Sequence, residues 1–238
     1  MNLKSPALLL YFCSYLLYLF FFRLHIDKEM ALVFKPMIVA SIFFFYFFSN
    51  HSKKKNVLHY LILALLFVAD NVNLLMETVF YQMALGLYLI ILFILLFLIL
   101  NDSKLIKRGS KVDRYLTVGL VVGAIVFLVM KIVSIYIVKY KFHSYYFILN
   151  YIVVFLSVLL FSFYNYFKHK TLSSKYLMLT LLSLFLSDLF YVVNKYYIPH
   201  ESFVIIACIL EIPSYYFLVH YLINRDEEKI NLENNISS

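Results

Sequence analysis

The sequence predicts an all-α protein, a polytopic membrane bundle of about eight transmembrane helices with both termini in the cytoplasm. Three observations lead there. Hydrophobic residues make up 64% of the 238 positions and charged residues only 14%, where a soluble domain carries roughly a quarter charged. The apolar residues run continuously over stretches of roughly 20, enough to cross a ~30 Å hydrocarbon core, and do not alternate as barrel strands do. Lysine and arginine collect in alternate loops, which orients a multi-pass chain.

In order, the expected spans are Pro6–Phe22, Ala31–Phe48, Val57–Leu75, Phe80–Leu100, Tyr115–Val138, Ser144–Phe167, Tyr176–Val193 and Ser202–Ile223. Only Met76, Glu77, Thr78 and Val79 separate the third from the fourth, and with Asn71 and Asn73 they predict a tight surface turn. The run after Lys4 ends in Phe20, Phe21, Phe22 and Arg23 with no small-residue cleavage site after it, so it reads as a retained span. Residues 1–224 make a single transmembrane domain. Residues 225–238 are polar and read as a disordered cytoplasmic tail.

Fourteen lysines and arginines fall in loops on the side of the termini and five on the other side. The richer side is cytoplasmic. Tryptophan is absent, so tyrosines such as Tyr11, Tyr46, Tyr60 and Tyr115 supply the interfacial belt. The net charge of +8 therefore reports topology, and nucleic acid is not an expected partner. Cys13 and Cys208 both sit inside apolar runs. They read as small packing residues, with no disulfide framework or metal cluster implied.

Ionisable residues inside spans are expensive and mark functional candidates. Asp70 and Asp188 occupy similar settings four spans apart, Leu66-Phe67-Val68-Ala69-Asp70 and Leu184-Phe185-Leu186-Ser187-Asp188. The short repeat hints at a four-plus-four duplication in parallel orientation. At about 1.5 Å per residue both acids lie roughly 20 Å above the cytoplasmic boundary. Lys35, Lys131 and Glu211 fall near the same layer, so three acids and two bases can neutralise one another. Thr180, Ser183, Ser187 and Tyr191 share one stripe with Asp188 at spacings of three and four, a face expected to point into the bundle.

Plainer readings stand beside these. Paired charges can merely set helix register. Lys131 and Lys35 can snorkel to the outer interface, although Pro36 fixes the geometry beside Lys35. Glu211 precedes Pro213, as a helix bend would require. Gly119 and Gly123 suit a close helix contact. His220 reads as interfacial. Zinc chemistry would need several converging histidines, and only His59 and His220 touch spans, both near cytoplasmic ends.

Lys35-Pro36, the run ending in Asp70, Phe185-Leu186-Ser187-Asp188, the following Asn194, and the paired Tyr215-Tyr216 of the last span together resemble the YhhN family of integral-membrane lysoplasmalogenases. The resemblance covers most of the chain in order. The family has glycine before the first aspartate, where this chain has Ala69. It often has a histidine with a nearby tyrosine after that aspartate, where the fourth span here has Gly86 and Tyr88 and no histidine.

The resemblance implies hydrolysis of the vinyl ether of a lysoplasmalogen to a fatty aldehyde and a glycerophospho-base. The expected partners are therefore a lysophospholipid substrate and membrane lipid, with no cofactor and no metal. Vinyl ether cleavage begins with protonation of carbon and continues with attack of water on an oxocarbenium-like centre. One acid and one base suffice. A carboxyl in a dry site tends to keep its proton, and two adjacent carboxyls titrate together. Asp70 and Asp188 are the expected catalytic pair, facing each other, with the division of roles open. Lys35, Ser187, Tyr191, Asn194, Glu211 and Tyr215 are the expected binding or orienting residues. The competing classes are a proton-coupled transporter, a lipid-binding sensor and an inactive relative of the enzymes. In each case the chain is read as a multi-pass protein of the bacterial inner membrane.

Overall fold

A computed structural model describes residues 5–23, 28–49, 56–73, 78–105 and 145–237. Among the described residues the chain forms seven helices: α1 Pro6–Arg23, α2 Lys28–Ser49, α3 Val57–Asn73, α4 Thr78–Leu105, α5 Tyr145–His169, α6 Leu172–Tyr196 and α7 Glu201–Ser237. The expected span Tyr115–Val138, with Lys131 and the two glycines at 119 and 123, lies outside the described residues.

Five of these helices hold stretches long and apolar enough to cross a membrane: Leu32–Ser49, Phe80–Asp102, Asn150–His169, Leu172–Asn194 and Glu201–Glu228. α1 and α3 carry shorter apolar stretches, Pro6–Phe21 and Val57–Asn73. These are the lengths and composition of a multi-pass helical membrane protein.

Each helix packs on the next in sequence, and α7 returns to α1 and α2, so the described helices close into a ring. Helical periodicity decides which side chains point inward. In α1, Leu8, Tyr11, Tyr15 and Tyr18 are buried while Leu9, Leu16 and Phe20 are exposed. In α3, His59, Ile62, Leu63, Leu66, Ala69 and Asp70 share the buried face, and Leu61, Phe67 and Val68 face out. An apolar outer face suits lipid as it would not suit water.

The connection between α5 and α6 is two residues long, Lys170 and Thr171. Lys170 adopts a left-handed conformation, φ 50°, and its N–H closes α5 on the Tyr166 carbonyl at 2.8 Å. Thr171 then caps α6, its hydroxyl accepting from the Ser174 N–H at 3.2 Å. The α6–α7 connection is closed by Asn194, whose side-chain oxygen accepts from the His200 N–H at 2.9 Å.

One expectation is overturned here. The polar tail does not begin as a disordered segment at 225, because α7 continues to Ser237. Arg225 and Asp226 are buried, and Glu228 accepts hydrogen bonds from the Ser173 N–H, at 3.1 Å, and from the Ser173 hydroxyl. Polar composition suggested disorder; partners on α3, α4 and α6 supply the reason for order.

Candidate functional site

α3 brings Asp70 to the inner face at the end of the stripe that begins with Ile62 and Leu63. Its carboxylate is 3% exposed and is held by two tyrosines from different helices. Tyr88 of α4 donates to Oδ1. Tyr215 of α7 donates to Oδ2 at 2.8 Å. Tyr88 and Tyr215 thereby tie α3 to elements 18 and 145 residues away in sequence.

Glu211 lies one turn before Tyr215 on α7, and the same Tyr215 hydroxyl reaches its Oε1 at 3.4 Å. Tyr15 of α1 makes a second hydrogen bond to Glu211. Tyr11 donates to the carbonyl of Ile212, the residue before Pro213 of α7. Lys35 enters from α2 with its ammonium 5.5 Å from the centre of the Tyr18 ring. It lies within electrostatic reach of both Glu211 and Asp70. The centre is thus two carboxyls, one ammonium and a wall of tyrosine hydroxyls, assembled from α1, α2, α3, α4 and α7.

Among the described residues, the acid that shares a hydrogen-bonding partner with Asp70 is Glu211. Asp188 is accessible on α6, takes its hydrogen bond from Tyr151 of α5 and lies within electrostatic reach of Glu211. The hydrogen bonds of the centre thus join Asp70 to Glu211, where the sequence reading pairs Asp70 with Asp188. Ser187 is the residue turned toward α7, its hydroxyl donating to the Ala207 carbonyl at 2.9 Å, and Asp188 follows about 100° around the helix.

The expected inward stripe on α6 splits. Thr180 is buried, Ser183 and Ser187 are half-buried, and Tyr191 is 52% exposed. Asn194 holds the α6–α7 turn described above. Of the expected binding residues, Lys35, Glu211 and Tyr215 join Asp70; Ser187 bridges α6 to α7; Tyr191 and Asn194 lie outside the cluster.

A second polar cluster occupies the ends of α3 and α4 and the middle of α7. His59 is fully buried. Its Nε2 faces Arg225 Nη1 at 3.3 Å and Asn56 Nδ2 at 3.2 Å. A guanidinium only donates, so Nε2 is the acceptor and Nδ1 carries the proton. Nδ1 faces the Tyr46 hydroxyl at 3.0 Å and Asp226 Oδ2 at 3.4 Å. Arg225 Nε donates to Asp102 Oδ2 at 2.7 Å, and Tyr221 reaches the same oxygen at 3.4 Å. His220, expected at the interface, packs its ring against Phe45, Tyr176 and Tyr216.

The sequence reading missed the hydroxyls of Tyr15, Tyr88 and Tyr151 as partners of the acids. The signal was there for one of them: Tyr11, Tyr15 and Tyr18 follow helical spacing on one face of a span. It also missed the Arg225 cluster, where Tyr221 and Arg225 stand one turn apart, directly beyond an apolar run. Among the described residues, no three histidine, cysteine, aspartate or glutamate side chains gather where they would hold a metal ion. Comparison of the chain with family models, with curated proteins and with solved structures found no match.

Proposed function

We propose that the chain is a membrane hydrolase that cleaves the vinyl ether of lysoplasmalogens, releasing a fatty aldehyde and a glycerophospho-base. In this reading it crosses the bacterial inner membrane eight times with both termini in the cytoplasm. The observation that carries the proposal is Asp70, a carboxyl sealed inside the ring between Tyr88 and Tyr215 with Glu211 beside it. Protonating carbon requires an acid kept from water, and the cation that results requires a nearby anion. Two carboxyls in one dry cluster meet both needs. Lys35 supplies a positive charge at the same centre, where it limits the repulsion between the acids and suits a phosphate. Asp188 lies within electrostatic reach of Glu211 and takes no step in this chemistry.

The test is aldehyde release, followed by mass spectrometry, from lysoplasmalogen added to the purified protein in lipid nanodiscs. Asp70→Asn is expected to lower the rate by about 10² to 10⁴, the usual contribution of a positioned acid or base. Solute or proton flux across vesicles with no aldehyde formed would instead establish the carrier reading.

A further inference from the structure

Vinyl ether hydrolysis leaves its two carboxyls in the wrong protonation states. The acid gives its proton to the β-carbon of the vinyl ether. Water then adds to the α-carbon, its oxygen forming the new C–O bond and its proton passing to the other carboxyl. The hemiacetal collapses to the aldehyde as its hydroxyl proton moves to the departing glycerol oxygen. The acid has lost a proton and the base has gained one, so a second turnover needs that proton returned. In a sealed cluster bulk water does not do this quickly.

We infer that Asp70, Tyr215 and Glu211 form a proton-return relay, with Tyr215 passing the proton from one carboxyl to the other after each turnover. The inference rests on the hydrolase reading for its chemistry, but its geometry stands on its own. One hydroxyl lies 2.8 Å from Asp70 Oδ2 and 3.4 Å from Glu211 Oε1. A hydroxyl holds one proton and accepts others on its lone pairs, so it takes a proton from one side while giving its own to the other. No other described side chain is shown bridging the two acids. The remaining hydroxyls each serve one of them, Tyr88 on Asp70 and Tyr15 on Glu211. Those hold the carboxyls in place. Glu211 thereby becomes the second carboxyl of the reaction.

The experiment is rapid-quench kinetics on the full chain in nanodiscs with excess lysoplasmalogen. The unmodified protein should release aldehyde linearly. Tyr215→Phe should slow the first turnover about as much as Tyr88→Phe does, through the lost hydrogen bond to Asp70, and slow later turnovers tenfold or more beyond that, which leaves a burst of about one aldehyde per protein. Equal slowing of the first and later turnovers, or no slowing, overturns the relay. Glu211→Gln should remove one limb of the pH–rate profile, whereas Asp188→Asn, which removes one of the charges acting on Glu211 beside those of Lys35 and Asp70, should displace that limb and keep both. If Tyr215→Phe fails to fold, an unchanged profile in Glu211→Gln overturns the relay by itself.

If the unmodified protein yields no aldehyde, the hydrolase reading fails, and infrared spectroscopy of the carboxylic C=O band then decides the relay. A band that moves in both Asp70→Asn and Glu211→Gln keeps the shared proton. A band that ignores either substitution removes it.

Discussion

The two buried polar clusters are joined by different donors. Around His59 and Asp102 the group that joins the partners is a guanidinium, which gives hydrogen bonds and takes none, with the Asn56 amide and the hydroxyls of Tyr46 and Tyr221 at its margins. Around Asp70 and Glu211 the hydrogen-bond donors are tyrosine hydroxyls, which give and take. The first arrangement fixes positions: Arg225 binds the end of α4 through Asp102 and the start of α3 through His59, all against α7. The second fixes positions and also permits a proton to move. Buried polarity in a membrane bundle thus has two uses, and the bridging group, Arg225 in one cluster and Tyr215 in the other, tells them apart.

Paired substitutions break or sharpen this contrast. The largest effect is expected at the acids, where Asp70→Asn lowers aldehyde release by about 10² to 10⁴ while leaving the thermal midpoint nearly unchanged. Arg225→Met should do the reverse. It leaves Asp102 and His59 without their shared donor, costing about 3 to 5 kcal/mol of stability, and aldehyde release per folded molecule should hold. Adding Asp102→Leu to it should recover most of the loss, since an apolar pair replaces a buried ion pair at little net cost. If Arg225→Met abolishes turnover in folded protein, the division between clamp and site is wrong.

Smaller effects test the same division. Tyr88→Phe removes one hydrogen bond to a carboxylate, about 1.5 kcal/mol or roughly a tenfold loss of rate. Ser173→Ala, which removes the hydroxyl bond to Glu228 and keeps the backbone N–H bond, should cost no more than this in unfolding and nothing in rate. The smallest effect is expected at the α5–α6 turn. Lys170→Gly relieves a left-handed backbone and should leave rate unchanged while stabilising by about 0.5 to 1 kcal/mol, measured as denaturation midpoint.

Much of the architecture was legible in the residues. Long uninterrupted apolar runs predict helices that suit lipid, and the described helices match seven of the eight expected segments to within a few residues at most ends. Asp70, Lys35, Glu211 and Tyr215 stood out for the same reason, as polar groups in runs where polarity is costly. The tail misled because composition reports only that a segment is polar. Arg225 and Asp226 are polar and buried together because Asp102 and His59 wait on other helices.

What the sequence by itself determined is the set of helices and the short roster of groups that cannot rest in lipid. Both follow from the cost of transferring polar atoms out of water, which each stretch of chain pays locally. Which acid meets which was decided by the tertiary structure alone. Depth in the membrane depends on residue number, from which Asp70 and Asp188 are expected in one layer. Facing depends on how each helix is rotated about its axis, and that rotation is set by its neighbours. Ser187 on the Ala207 carbonyl sets α6 against α7 and leaves Asp188 to Tyr151 of α5, while Tyr215 brings Glu211 of α7 to Asp70.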